Sequence, residues 1–110
     1  MSENAARIAE LNDLLRTTFL TGKVVLTPGI LTLKSEIREA ALSAVREFTT
    51  FNKDNDPFGE HDFGSIDIAG AGPVFWKIDY YNPDLSGGSS DPSDPAKTMR
   101  VLTIMLALEY

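Results

Sequence analysis

Apolar positions at the start of the chain recur with a helical period. Ile8, Leu11, Leu15 and Phe19 fall on one stripe, widened by Leu14, while Arg7, Glu10, Asp13 and Arg16 fall mostly opposite. That spacing predicts an amphipathic helix from Asn4 to about Phe19 with one buried face, ended by Thr21-Gly22. Lys23 to Thr27 is short and rich in β-branched residues, which predicts a strand. Pro28-Gly29 suits the central pair of a type II turn, because proline fixes φ and glycine accepts positive φ. Ser35 reads as an N-cap, with Glu36 and Glu39 near the positive end of a second helix. Ile37, Ala41, Val45 and Phe48 carry its buried stripe to about Thr50.

Lys53 to Gly64 reads as a loop rich in turn formers, and beyond it the period falls to two. Phe63 to Ala69 and Val74 to Tyr81 predict two strands joined across Gly70-Ala71-Gly72-Pro73. Val74, Trp76, Ile78 and Tyr80 alternate with Phe75, Lys77, Asp79 and Tyr81, and Ile66 and Ile68 alternate with Ser65 and Asp67. One face therefore meets the core and the other is partly solvated, as antiparallel sheets allow. Asn82 to Lys97 is a long Ser/Gly/Asp/Pro-rich loop, of the kind that is either functional or disordered. Thr98 to Leu108 reads as a strand whose Leu102, Ile104, Leu106 and Leu108 share an apolar face. Asp94-Pro95, a good N-cap and first-turn pair, argues for a helix there instead. The resulting order predicts an α+β fold in a single domain over residues 1–110. Two helices would pack on one face of a small, mostly antiparallel sheet of about four strands.

Composition removes several kinds of chemistry. With no cysteine in 110 residues there is no disulfide framework, thiol nucleophile or Cys-ligated metal, which suits a reducing cytoplasm. The stretch MSENAARIAEL has acids and amides where a secretion signal has a basic and then an apolar run. No apolar run approaches the roughly 20 residues needed to span a bilayer. Cytoplasmic localisation without membrane contact is the expectation. The formal charge is −6 and it is unevenly placed. Up to Thr50 six acids balance six bases, whereas from Phe51 onward ten acids face four bases. An acidic half of this kind repels nucleic acid and attracts basic proteins, besides aiding solubility.

Several blocks carry a resemblance. RIAELNDLLRTTF (Arg7 to Phe19), VVLTPGI (Val24 to Ile30), FNKDNDPFGEHDFG (Phe51 to Gly64), VFWKIDYYNPDL (Val74 to Leu85) and RVLTIMLALEY (Arg100 to Tyr110) resemble the bacterial domain-of-unknown-function family 3768. Phe58 and Leu108 depart from its pattern, standing where the family has a basic or polar residue and an acid. The resemblance implies a small accessory protein in a mobile-element or plasmid setting. It brings no catalytic or binding residues with it, so candidate sites are argued from the residues themselves.

The first candidate is the loop holding Asp54, Asp56, Glu60, His61 and Asp62. Asn52, Asp54 and Asp56 alternate like oxygen ligands of a calcium loop, but Pro57 stands where that loop needs Gly and Phe63 where it needs Glu. Asn and Asp also cap their own turns. His61 flanked by acids could serve as an acid or base, although neighbouring residues entering a strand point to opposite sides, and a lone His makes no usual zinc site. The competing reading is a structural histidine that closes the loop onto the sheet. Whether a metal binds is left open, and no cofactor is expected. The second candidate is an interface on Phe75, Lys77, Asp79 and Tyr81, aromatic residues rimmed by charge; alternatively these rings lie under the Asn82 to Lys97 loop. Direct nucleic-acid binding is not expected, since Lys77 is the only base between Asp54 and Ala96. No phosphate-binding glycine loop or serine-nucleophile elbow is present.

The reading that results leans away from an enzyme. It expects an accessory protein whose acidic surface and open sheet face bind and inhibit a basic, nucleic-acid-handling protein. The alternative is a small metal-assisted enzyme built on Asp54 to Asp62, and a homo-oligomer formed through the Phe75/Tyr81 face is compatible with either.

Overall fold

A computed structural model describes residues 3–110. Helix α1 spans Glu3–Thr18, strand β1 Lys23–Leu26, a one-turn helix α2 Pro28–Leu31 and helix α3 Ser35–Arg46. Strands β2 (Phe63–Ile68), β3 (Gly72–Tyr81) and β4 (Met99–Leu106) follow, with 3₁₀ turns at Pro95–Lys97 and Ala107–Glu109. The sheet order is β1-β4-β3-β2; β4-β3-β2 is antiparallel and β1 joins the free side of β4 in parallel. This is the α+β arrangement that the period change along the chain implied.

Register explains the core. Val74, Trp76, Ile78 and Tyr80 stand opposite Leu106, Ile104, Leu102 and Arg100, so one face of the two central strands is apolar except at its Tyr80/Arg100 end. The helices supply Leu15, Ala41 and Val45, and Ile30 enters from α2. A hairpin joins β2 to β3, with Gly70 at φ 87° where a side chain would also strike Ile37. Residues 82–97 form successive Asx-type turns: Asn82 accepts from the amides of Ser86 and Gly87, Asp91 from that of Ser93, and Asp94 from that of Ala96.

Several expectations are corrected. Pro28-Gly29 is not a type II turn but opens α2: proline lacks only an N–H that a first turn leaves unpaired anyway, and the Leu31 amide donates to the Thr27 carbonyl. Ser35 is the first residue of α3 rather than its cap, which falls on Lys34 without a side-chain bond. That helix ends at Arg46, not near Thr50, because the chain must turn there to set Phe48 edge-on against Trp76 at 5.5 Å. Helix α1 likewise stops at Thr18, where Phe19 takes φ 61°. Leu14 is 48% exposed while Arg16, expected outside, is only 3% exposed. Strand β4 stops at Leu106, leaving Leu108 outside the apolar face and exposed. The Asp94-Pro95 signal is also real, since Asp94 caps the 3₁₀ turn ahead of the strand.

Candidate functional site

The loop between α3 and β2 is built by its own polar side chains. Asn52 Oδ1 accepts from the amides of Asp54 and Asn55, and Asn55 Oδ1 accepts from the amide of Asn52. Asp56 is buried, and its Oδ1 accepts from the amides of Glu60 and His61, both at 3.1 Å. The calcium-like spacing is therefore turn chemistry at Asn52 and Asp56, whose side-chain oxygens accept from backbone amides, while Asp54 contributes its own amide to Asn52.

His61 sits at φ 56°, a conformation that side chains rarely adopt. Its ring stacks on Phe51, centroids 3.8 Å apart and planes at 3°. Nδ1 lies 3.0 Å from both oxygens of Asp13 on α1, and Nε2 lies 3.7 Å from Asp56 Oδ2. Asp13 in turn accepts from Arg16, whose guanidinium also donates to the carbonyls of Val45 and Arg46 and lies 5.3 Å from the Trp76 ring centroid. Both ring nitrogens thus face carboxylates of the protein's own fold, and the imidazole fastens loop to helix. A shallow groove of about 440 Å³ opens beside it, lined by Phe51, Asn52, Lys53, Asp56, Pro57, Gly59 and His61.

Of the five loop candidates, only Asp56 and His61 line that groove. Asp54 is exposed on its turn. Glu60 accepts instead from the Tyr80 hydroxyl at 2.9 Å, and burial of that phenol pushes its pKa far above the usual value. Among the described residues no three His, Asp or Glu side chains are grouped so as to hold a metal ion.

A second polar cluster lies outside the residues that the sequence pattern singles out as candidates. Asn12, fully buried on α1, donates to the Glu60 carbonyl at 3.0 Å and the Tyr80 hydroxyl at 2.8 Å, and accepts from Arg100 Nε at 2.7 Å. Arg100 also donates to the Pro92 carbonyl. This network ties both long loops to the same end of the sheet, where β3 finishes and β4 begins. The available signal was a polar Asn12 inside an otherwise apolar helical stripe.

Asp62 records the charge of that end. Its carboxyl is pushed up by burial first, then by the fields of Glu60, Asp56 and Asp79. A raised carboxyl pKa means that the folded state holds the proton more tightly than the unfolded chain does. The destabilisation it causes is present at neutral pH and disappears as pH falls through the raised value toward 3.8. Asp62→Asn is therefore expected to stabilise the fold at pH 7 by less than about 1 kcal/mol after solvent screening. Parallel urea titrations at pH 7 and at pH 3 check this, the gain vanishing in acid.

The other candidate region lies on the outer sheet face, opposite the one that carries Val74, Trp76 and Ile78. Lys77 and Asp79 form a 3.0 Å ion pair, each about 40% exposed, which lifts the Lys77 ammonium pKa. Phe75 is covered by Phe63 and Tyr110, at centroid distances of 5.4 and 5.6 Å, rather than by the 82–97 loop. Tyr110 is held there by Glu109, whose carboxylate accepts from the Thr27 hydroxyl and the amides of Gly29 and Leu106. Tyr81 remains exposed.

Among the described residues no helix is long and apolar enough to cross a membrane. No curated protein and no solved structure matches the chain. A family match does exist, beginning inside β1 and running almost to the last residue, so that α1 with Asn12, Asp13 and Arg16 lies ahead of it. Over residues 26–109 the chain matches the family described as "Protein of unknown function (DUF3768)", and it belongs to that family.

Proposed function

We propose that this chain is a non-enzymatic accessory protein of the cytoplasm that binds and inhibits a basic, nucleic-acid-handling protein. Its contact surface is the acidic end of the sheet. One observation carries this reading: the two loops gathered at that end hold six at least partly exposed acids (Asp54, Glu60, Asp62, Asp84, Asp91, Asp94), besides the buried Asp56, against Lys53 and Lys97. Two arginines behind them, Arg16 and Arg100, are 3% and 5% exposed and are engaged internally, and the more exposed Arg7 is paired with Glu10, so these cations do little to offset that charge toward solvent. A surface of this kind accelerates encounter with a positively charged protein and repels nucleic acid. Inhibition follows if the carboxylates occupy the positions that phosphates take on such a partner. The mobile-element setting implied by the family resemblance fits a partner from defence or plasmid maintenance.

Immobilised protein should capture a basic protein from a lysate of its own host at low salt and release it as ionic strength rises. A variant carrying Asp54→Asn, Asp84→Asn, Asp91→Asn and Asp94→Asn should lose most of that capture while keeping its fold. Capture of the same protein by both forms, with no dependence on salt, would remove the charge argument.

A further inference from the structure

The outer face of the sheet is not acidic. On its strands Lys23 and Lys77 stand against Asp67 and Asp79, so the strand positions of this face are balanced on a chain of charge −6, and the neighbouring Glu109 carboxylate is engaged by the Thr27 hydroxyl and the Gly29 amide. A basic partner gains nothing from it, and neither does an acidic one. A surface carrying equal opposite charges suits a copy of itself.

The register sharpens this. Read along β3, the outward residues are Phe75, Lys77, Asp79 and Tyr81: aromatic, cation, anion, aromatic. Their neighbours along β4 are Met105, Thr103, Val101 and Met99: a methionine, two β-branched residues and a methionine. Both series are symmetric about one level, because Ile78 and Leu102, which lie midway along them, are partners in the ladder. Rotation about a two-fold axis lying across the strands at that level lays each central strand antiparallel over its own copy. Lys77 then faces Asp79 of the second copy and Val101 faces Thr103, while Tyr81 and Met99 meet the Tyr110 ring that covers Phe75, Met105 itself being buried. Two-fold interfaces are self-complementary in this manner, and packed sheets keep their strand directions within about 30° of alignment.

We propose that this face is a self-association surface, on which a second copy packs about a two-fold axis at the level of Ile78 and Leu102. The Lys77–Asp79 ion pair of each copy becomes half of an alternating four-charge cluster at the centre. Tyr110, exposed and edge-on to Phe63 and Phe75, flanks that cluster on the same face. The acidic end remains free, so this proposal and the basic-partner reading rest on different residues.

Light scattering coupled to size exclusion should give a species of twice the 12.0 kDa chain mass. Lys77→Glu places two anions opposite one another in each half of the interface, and Asp79→Lys places two cations there. Each variant alone should weaken dimerisation by at least about tenfold. An equimolar mixture should recover the dimer, because the carboxylate introduced by Lys77→Glu in one chain then meets the ammonium introduced by Asp79→Lys in the other. Within each chain the pair stays repulsive, so recovery reports contact between chains and nothing else. Should either variant fail to fold by circular dichroism, Val101→Lys mixed with Thr103→Glu repeats the complementation on β4. A monomeric wild-type protein at about 100 μM, a concentration at which even weak specific interfaces associate, overturns the proposal. So does a mixture no more dimeric than its separate components.

Discussion

Replacing Gly64 with alanine is expected to destabilise the fold by about 3 kcal/mol, the upper part of the range for overpacking a core. Gly64 stands in β2 directly opposite Trp76. A Cβ there would lie 2.3 Å from Trp76 Nε1, 2.7 Å from its Cε2 and 2.9 Å from Phe48 Cζ. None of these atoms has room to retreat. Trp76 is fully buried among Phe48, Phe51 and the Arg16 guanidinium, and Phe48 is held edge-on to both rings. For a domain of ordinary stability, about 5–15 kcal/mol, the loss is a large share of the whole. Urea denaturation followed by tryptophan fluorescence measures it, with the indole itself as the probe. Gly87→Ala is the control, since its nearest neighbour would be Asn82 Nδ2 at 3.9 Å. A Gly64→Ala midpoint within error of the control would show that the indole does not approach the strand as described.

Asn12→Ala is expected to cost a similar amount, about 3 kcal/mol, for a different reason. The substitution removes little apolar contact. It leaves Arg100 Nε without an acceptor, and the Glu60 carbonyl and Tyr80 hydroxyl without their shared donor. A buried polar group left unpaired costs roughly 1–3 kcal/mol, and more when it is charged. Arg100 also holds Pro92, so the damage should spread into both loops. Hydrogen exchange should accelerate at residues 60–62 and 91–94 while the amides of β2 and β3 stay protected. Leu14→Ala, on the same helix but half exposed, should change stability by less than about 1 kcal/mol. Equal effects from the two substitutions would mean that Asn12 contributes only helix propensity.

Both predictions concern residues whose importance their own local pattern conceals. Gly64 is one of eight glycines, and nothing around it in the chain distinguishes a close approach from a flexible turn. Arg16 satisfies helical periodicity as a solvent-facing residue, yet the carbonyls of Val45 and Arg46 wait for it where α3 ends. His61 showed the limits of the sequence from the other side. Its neighbours Glu60 and Asp62 look like partners, but the strand entrance sends them apart. Its actual partner, Asp13, is 48 positions away on α1.

What the sequence determined by itself was what repeats locally. The change of period from helical spacing to strict alternation sets the number, kind and order of the main elements, and alternation in β3 names the inward face, because backbone geometry ties side-chain direction to position. Asn and Asp density marked the turns for the same local reason. Only the tertiary structure decided the one-turn helix at Pro28, the ends of α3 and β4, the burial of Asn12, Arg16 and Arg100, and the pairing of His61 with Asp13. Each of these depends on a group supplied from a distant part of the chain, and hydrogen bonds and close contacts between remote residues leave no period to read.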